Sequence, residues 1–244
     1  MAELNRIQST PLAYCNGRAL ISASAADCSQ RIHPSLPIQE LTLLDDPGDY
    51  AHKSACLDLG PLGVSVGMGS PFRFEVEDHA VVTLLLSCGG QGKIEIGGQG
   101  FVIEPGRPAL YLPGEAYSYA ISKPHGVVIT TQVERIAAQA LALAEQAGFD
   151  GIDLSLLQRP LAIGPTRAAL SQLLQLMRKT LSLLDVTAPA RGLAPGSQIL
   201  QPASGADQGL ARAGVHGQDD SIAGLICRQI AAMLYPQLVE DRQV

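Results

Sequence analysis

The apolar and polar positions of this chain change period once along its length. From residue 55 to residue 132 they alternate in twos. In Phe72-Arg73-Phe74-Glu75-Val76 the apolar residues share one face and the charged residues the other, and Lys93-Ile94-Glu95-Ile96 repeats the pattern. The runs 56–59, 62–68, 72–76, 80–87, 92–96, 100–104, 109–112 and 117–121 read as strands, with 126–132 closing the set. Gly97-Gly98 supplies the positive φ angles that a two-residue hairpin turn needs. Pro105-Gly106 and Pro113-Gly114 mark two further turns. Strands this short and this regularly spaced predict an antiparallel barrel or sandwich.

Past residue 132 the period becomes helical. Val133, Ile136, Ala137, Ala140, Leu141 and Ala144 fall on one face, and Gly148 follows as a C-cap. A second helix is expected to open near Pro165, with Leu170, Leu173, Leu174, Met177, Leu181 and Leu184 as its apolar stripe. That spacing suits a helix–helix seam between two copies of the chain, and equally suits packing on the parent barrel. A last amphipathic helix is expected after the capping residues Asp219-Asp220-Ser221. It carries Ile222, Leu225, Ile226, Ile230, Met233 and Leu234 on one side and stops at Pro236. Residues 1–54, with Pro11, Pro34, Pro37 and Pro47, read as an irregular arm packed on the domain. The resulting division is an arm (1–54), a barrel (55–132), helices (133–186), a Gly/Ala/Pro/Ser-rich flexible linker (187–218) and a C-terminal helix (219–244).

Composition and charge narrow the function. Hydrophobic residues make up 46% of the 244, enough for a core, while Trp is absent and aromatics are 4%, so Leu, Ile, Val and Ala must fill it. The net charge is −6, and the longest basic run is Arg178-Lys179. A chain that grips nucleic acid needs a basic surface to displace counterions, so direct DNA binding by this chain is not expected. Cys15, Cys28, Cys56, Cys88 and Cys227 are odd in number and never spaced C-x-x-C, which reads as reduced thiols. The N-terminus lacks the apolar core of a signal peptide, and no apolar run approaches a membrane span. A cytoplasmic protein with no membrane contact is expected.

The run from Cys88 to Tyr119 resembles the cupin-type core of AraC-family sensor domains. It has a small-residue turn (Cys88-Gly-Gly-Gln-Gly), two short strands around Gly97-Gly98, the Pro105-Gly106 turn, an apolar strand, and Pro113-Gly114-Glu115 leading into Tyr117-Ser-Tyr119. The likeness covers roughly residues 55–135. The helices up to residue 185 are similar to the family's dimerisation helices, and Ile222–Leu238 to the region before its DNA-binding half. The resemblance implies an α+β fold, a cupin-like antiparallel β-barrel (double-stranded β-helix) followed by α-helices. It also implies a homodimer that senses a small-molecule effector, with the helix-turn-helix half absent from this chain. Tyr117 and Tyr119 share a strand face, and Tyr119 falls where the family's sugar-binding members place a ligand-contacting Tyr. Arg73 and Glu75 lie near a polar contact position of the family. These four are the candidate ligand residues, although core packing explains the tyrosines and a solvated face explains Arg73 and Glu75 equally well.

Other chemistry finds less support. Metal-dependent cupins use a His-x-His pair, a Glu and a later His, whereas His33, His52, His79, His125 and His216 are scattered. No metal, cofactor or catalytic residue is expected, and His79 reads as a hydrogen-bonded strand-end residue. A non-metal isomerase would have to use Glu75 or His79. A stand-alone module that pairs with a full-length regulator through residues 166–185 and 219–238 is the remaining alternative. A barrel interior holding polar groups favours sensing or catalysis, and one packed solid with Leu, Ile and Val favours the module.

Overall fold

In a computed structural model the described residues are 2–32, 36–45, 50–104, 109–149, 151–163, 167–187 and 221–240. The linker, the turns at Pro105-Gly106 and Pro165, His33, His216, Asp219 and Asp220, and the side chains of Leu170 and Leu184, lie outside them.

Twelve strands are described. They are β1 (Leu20–Ser22), β2 (Ile38–Leu43), β3 (His52–Asp58), β4 (Leu62–Gly69), β5 (Phe72–Val76), β6 (Val81–Gly89), β7 (Gly92–Ile96), β8 (Gln99–Ile103), β9 (Ala109–Leu112), β10 (Tyr117–Ile121), β11 (His125–Gln132) and β12 (Leu161–Ile163). All pairings are antiparallel. One sheet runs β1-β3-β4-β11-β6-β9-β12 and the other β2-β5-β10-β7-β8. Helices α1 (Ala2–Ser9) and α2 (Ala25–Ile32) flank β1, and α3 (Val133–Gln146), α4 (Arg167–Thr187) and α5 (Ile222–Glu240) follow β11, with β12 between α3 and α4. The fold is thus α+β, an antiparallel barrel followed by helices.

Strand alternation divides the apolar material into two cores. In β4, Leu-Gly-Val-Ser-Val-Gly-Met-Gly, the large side chains Leu62, Val64, Val66 and Met68 leave one face and join α3, α4 and α5 in a single buried cluster. The opposite face carries glycine and serine and looks into the barrel. β6 and β11 behave alike. Leu86 stands opposite Val127 on the helix side, and Leu85 opposite Val128 on the inner side. The smaller sheet sends Phe72, Phe74, Val76, Ile94, Ile96, Tyr117, Tyr119 and Ile121 inward, where Cys28, Ile32 and Leu36 close one end.

Residues 1–54, expected to be irregular, contain two helices and two complete strands. Ser24 Oγ accepts the Asp27 N–H at 3.1 Å and caps α2. β2 pairs with β5, with a register shift between Ile38 and Glu40 that obscures its alternation. β3 starts at His52, four residues before the apolar run beginning at Cys56. The buried Lys53 stands there because its Nζ donates to the carbonyls of Gln8 (3.4 Å) and Thr10 (2.9 Å) at the end of α1, where a cation meets the negative end of the helix dipole. β12 also went unread, being three residues long and held by β9.

The helices end differently from expectation in one place. Gly148 caps α3 at φ 78°, with Phe149 N–H donating to Ala144 O at 2.9 Å. Pro236, in contrast, lies inside α5 and does not stop it. The following turn is held from outside the helix. Leu238 is fully buried, its carbonyl accepts from Asp153 N–H at 3.5 Å, and Gln237 Nε2 donates to Ala162 O at 2.9 Å. Tertiary packing here outweighs the hydrogen bond that proline forfeits.

The α4 stripe is buried within the chain. Leu173, Met177 and Leu181 are fully buried in the core that α5 completes, and Leu174 packs against it. These side chains are therefore unavailable as an exposed dimer seam. Leu181→Ala should cost about 2–5 kcal/mol by urea denaturation, as a core cavity does. A cost within about 0.5 kcal/mol, the level of a surface change, would contradict this placement.

Candidate functional site

The small residues of β4 leave space between the sheets. A cavity of about 80 Å³ opens there, bordered by Ser65 and Gly67 of β4, Phe72 and Phe74 of β5, His52 of β3, Tyr119 of β10 and His125 of β11. At roughly 30 Å³ for each water in the liquid, this is space for about three waters. Ile32, Leu36 and the run Gly89-Gly90-Gln91-Gly92 also line it. No Lys, Arg, Asp or Glu lines it among the described residues.

His52 sits in the cavity wall because its neighbours across β4 are glycines. A Cβ at Gly67 would stand 3.1 Å from its Cε1 and Nε2, and one at Gly69 would stand 2.8 Å from its Cδ2. The ring meets Phe72 edge-on at 5.6 Å. The residue is 3% exposed, and among the described residues its Nδ1 is sealed without a hydrogen-bond partner. Burial drives its pKa from 6.5 to about 4, so the ring is neutral at physiological pH. His125 opens β11 against β4, with its Nδ1 3.2 Å from where a Gly89 Cβ would lie and its Nε2 sealed without a partner. Burial lowers its pKa as well.

Tyr119, singled out from the sequence, does face the cavity. Its ring meets Phe74 edge-on at 5.3 Å and lies so close to β7 that a Cβ at Gly92 would come within 2.4 Å of Cε2. Tyr117 points inward too but sits deeper, away from the cavity lining. Its ring lies 6.4 Å from Phe74 and 6.5 Å from His79, with the Thr83 hydroxyl beside its own. Burial pushes both phenols well above their ordinary pKa, so both stay protonated.

Arg73 and Glu75 do not reach the site. Phe72, Phe74 and Val76 take the inner face of β5, so the charged pair is on the outer one, 49% and 46% exposed and bonded to each other at 3.4 Å. The isomerase reading loses both of its candidates. Glu75 is outside, and His79, expected at a strand end, is in the loop between β5 and β6, with its Nδ1 2.9 Å from Glu77 O. His52 and His125 are the site residues that sequence reasoning missed. Among the described residues no group of three His, Cys, Asp or Glu side chains is placed to hold a metal ion. Cys15, Cys28, Cys56, Cys88 and Cys227 are all unbridged.

The helix Ile222–Val239 is long and apolar enough to cross a membrane. In this fold, however, Ile226, Ile230, Met233, Leu234 and Leu238 are buried in the core.

The depressed His52 pKa has a definite sign for stability. Unfolded His52 gains a proton near pH 6.5, whereas folded His52 does so only near pH 4. Between these values the unfolded state binds more protons, so stability falls as pH falls, by about 3 kcal/mol in total from this residue. Chemical denaturation from pH 7 to pH 4 should show this loss, and His52→Gln should remove it. An unchanged pH slope in the variant would contradict the burial of a neutral ring.

No protein-family model and no curated protein matches this sequence. Solved structures do. The crystal structure of the AraC-like transcriptional activator CuxR matches over 86% of this chain, at 13% identity and a TM-score of 0.52. This chain spans 64% of that activator's length. A Cupin_2 domain of an XRE family transcriptional regulator from Enterobacter cloacae matches 33% of this chain and 95% of its own, at 14% identity and a TM-score of 0.30. The ectoine synthase from P. lautus matches 33% of this chain and 64% of its own, at 21% identity and a TM-score of 0.29. The chain thus shares its fold, over most of its length, with an AraC-like activator, an antiparallel barrel backed by helices.

Proposed function

We propose that this chain is the effector-sensing and dimerisation part of an AraC-type transcription regulator, acting in the cytoplasm, with the DNA contacts made outside it. The observation that carries this reading is a cavity with polar wall groups inside a barrel whose fold is that of an AraC-like activator. A barrel packed solid would favour a pure interaction module, and this one is hollow. Two further facts support it. The net charge of −6 suits a chain that does not itself hold DNA. The candidate groups of an enzyme reading stand outside the cavity.

Sensing in this reading is linkage: a ligand that binds one arrangement of the barrel better than another shifts the balance between them. The larger sheet carries the effect, because its inner face lines the cavity and its outer face packs α3 and α5. Self-association falls to the outer surface of the helical layer, where Leu141 and Phe149 are exposed.

Thermal shift and light scattering on the same samples test both parts. With a panel of small metabolites, at least one compound should raise the melting temperature of a dimer. Gly67→Leu, whose Cβ alone would stand 3.1 Å from the His52 ring, should abolish that rise, with the variant's own unfolding transition showing whether it still folds. Leu141→Glu should shift the dimer toward monomer. A melting temperature indifferent to the whole panel would sink sensing, and a monomer at every concentration would sink dimerisation.

A further inference from the structure

We propose that the cavity takes a small, uncharged aromatic molecule whose oxygen accepts a hydrogen bond from His52, as a phenol, aromatic aldehyde or aromatic ketone would; this rests on the sensing reading above. Size sets the first limit. The cavity volume of about 80 Å³ is roughly half that of a cavity that encloses benzene, so a single ring seats with its far edge at the open mouth, and a nucleotide or a disaccharide is too large for the interior.

Charge sets the second limit. A carboxylate or phosphate would enter a wall with no cationic side chain among the described residues, and would give up its hydration without an ion partner. His52 does not supply the missing charge, being neutral at physiological pH.

Polarity sets the third. Phe72, Phe74, Tyr119 and Ile121 line the wall together with the polar Ser65, Ser87 and Gln91, and Phe72 and Phe74 stack at 5.7 Å, offering π-faces and edges to a guest ring. A sugar would need many hydroxyl partners, and each unmatched hydroxyl would cost a hydrogen bond to water.

His52 sets the direction. An orphaned N–H is costlier than an orphaned lone pair, and Nδ1 is sealed without a partner among the described residues. The proton therefore sits on Nε2, on the ring edge that overlies Gly67 in the cavity wall. Nε2–H then donates to the ligand oxygen. The unmatched imidazole is nine-tenths buried and borders a cavity, which distinguishes it from an ordinary core histidine with a satisfied ring.

The experiment uses the full chain and three probes at equal concentration: phenol, benzoate and a pentose. Binding is read by calorimetry, and the ring nitrogens of His52 are followed by long-range 1H–15N NMR. Phenol should bind and move the His52 Nε2 resonance, with benzoate and the pentose doing neither. His52→Phe, of similar shape but without the donor, should bind phenol about tenfold more weakly. Tighter binding of benzoate or pentose than of phenol would overturn the ligand class and leave sensing intact. Phenol binding with an unmoved His52 resonance would overturn the role given to His52, and this readout stands even if the variant does not fold. Silence from all three probes would overturn the class, whereas the sensing reading falls only with the wider metabolite panel.

Discussion

Much of the molecule follows from the alternation in one strand. β4 places Leu62, Val64, Val66 and Met68 on one face and small residues on the other. The large face makes the layer on which α3, α4 and α5 assemble, and each such side chain contributes on the order of 1.5–3 kcal/mol when buried. The small face does the opposite work. Ser65 and Gly67 withhold volume from the barrel interior, so the inward aromatics of β5 and β10 cannot close over β4 and a cavity remains. A single exchange of the two faces, by a one-residue register slip, would fill the barrel and strip the helices of their platform.

The barrel strands were legible because they obey the period-2 rule and end at Gly or Pro turns. Runs at 72–76, 92–96, 109–112 and 117–121 fall where they were expected. The N-terminal strands were not, for separable reasons. β3 begins with His52-Lys53-Ser54, polar residues buried by partners that periodicity cannot see, namely the carbonyls ending α1 and the glycines of β4. β2 is bulged, and its burial is irregular. α2 did leave a signal, since Ser24 followed three residues later by Asp27 is a capping pattern.

The site was half legible. Tyr117 and Tyr119 were placed on one inward face by alternation, and that holds, although just Tyr119 of the two borders the cavity. The same rule, applied to β5, sends Arg73 and Glu75 outward, because Phe72, Phe74 and Val76 claim the interior. The histidines were hidden by sequence distance. His52 and His125 are 73 positions apart, yet β4 pairs with both of their strands, setting His52 opposite Gly69 and His125 opposite Met68. A scan for histidines close in sequence misses residues that border one cavity from different strands.

The stripe on α4 illustrates how a helical pattern reports an apolar face without naming its partner. Leu173, Met177 and Leu181 pack inside the chain, and α5, which shares that core, comes from beyond the residues around position 200. This gives the larger sheet two different tasks on its two faces, with a cavity within and a helical core behind. Only the thickness of one sheet separates them: Leu85 and Val128 face inward, while their immediate neighbours Leu86 and Val127 face the helices. Close-packed interiors pass strain between such neighbours instead of absorbing it. A shift of β6 or β11 from the barrel side would therefore press directly on the helical layer.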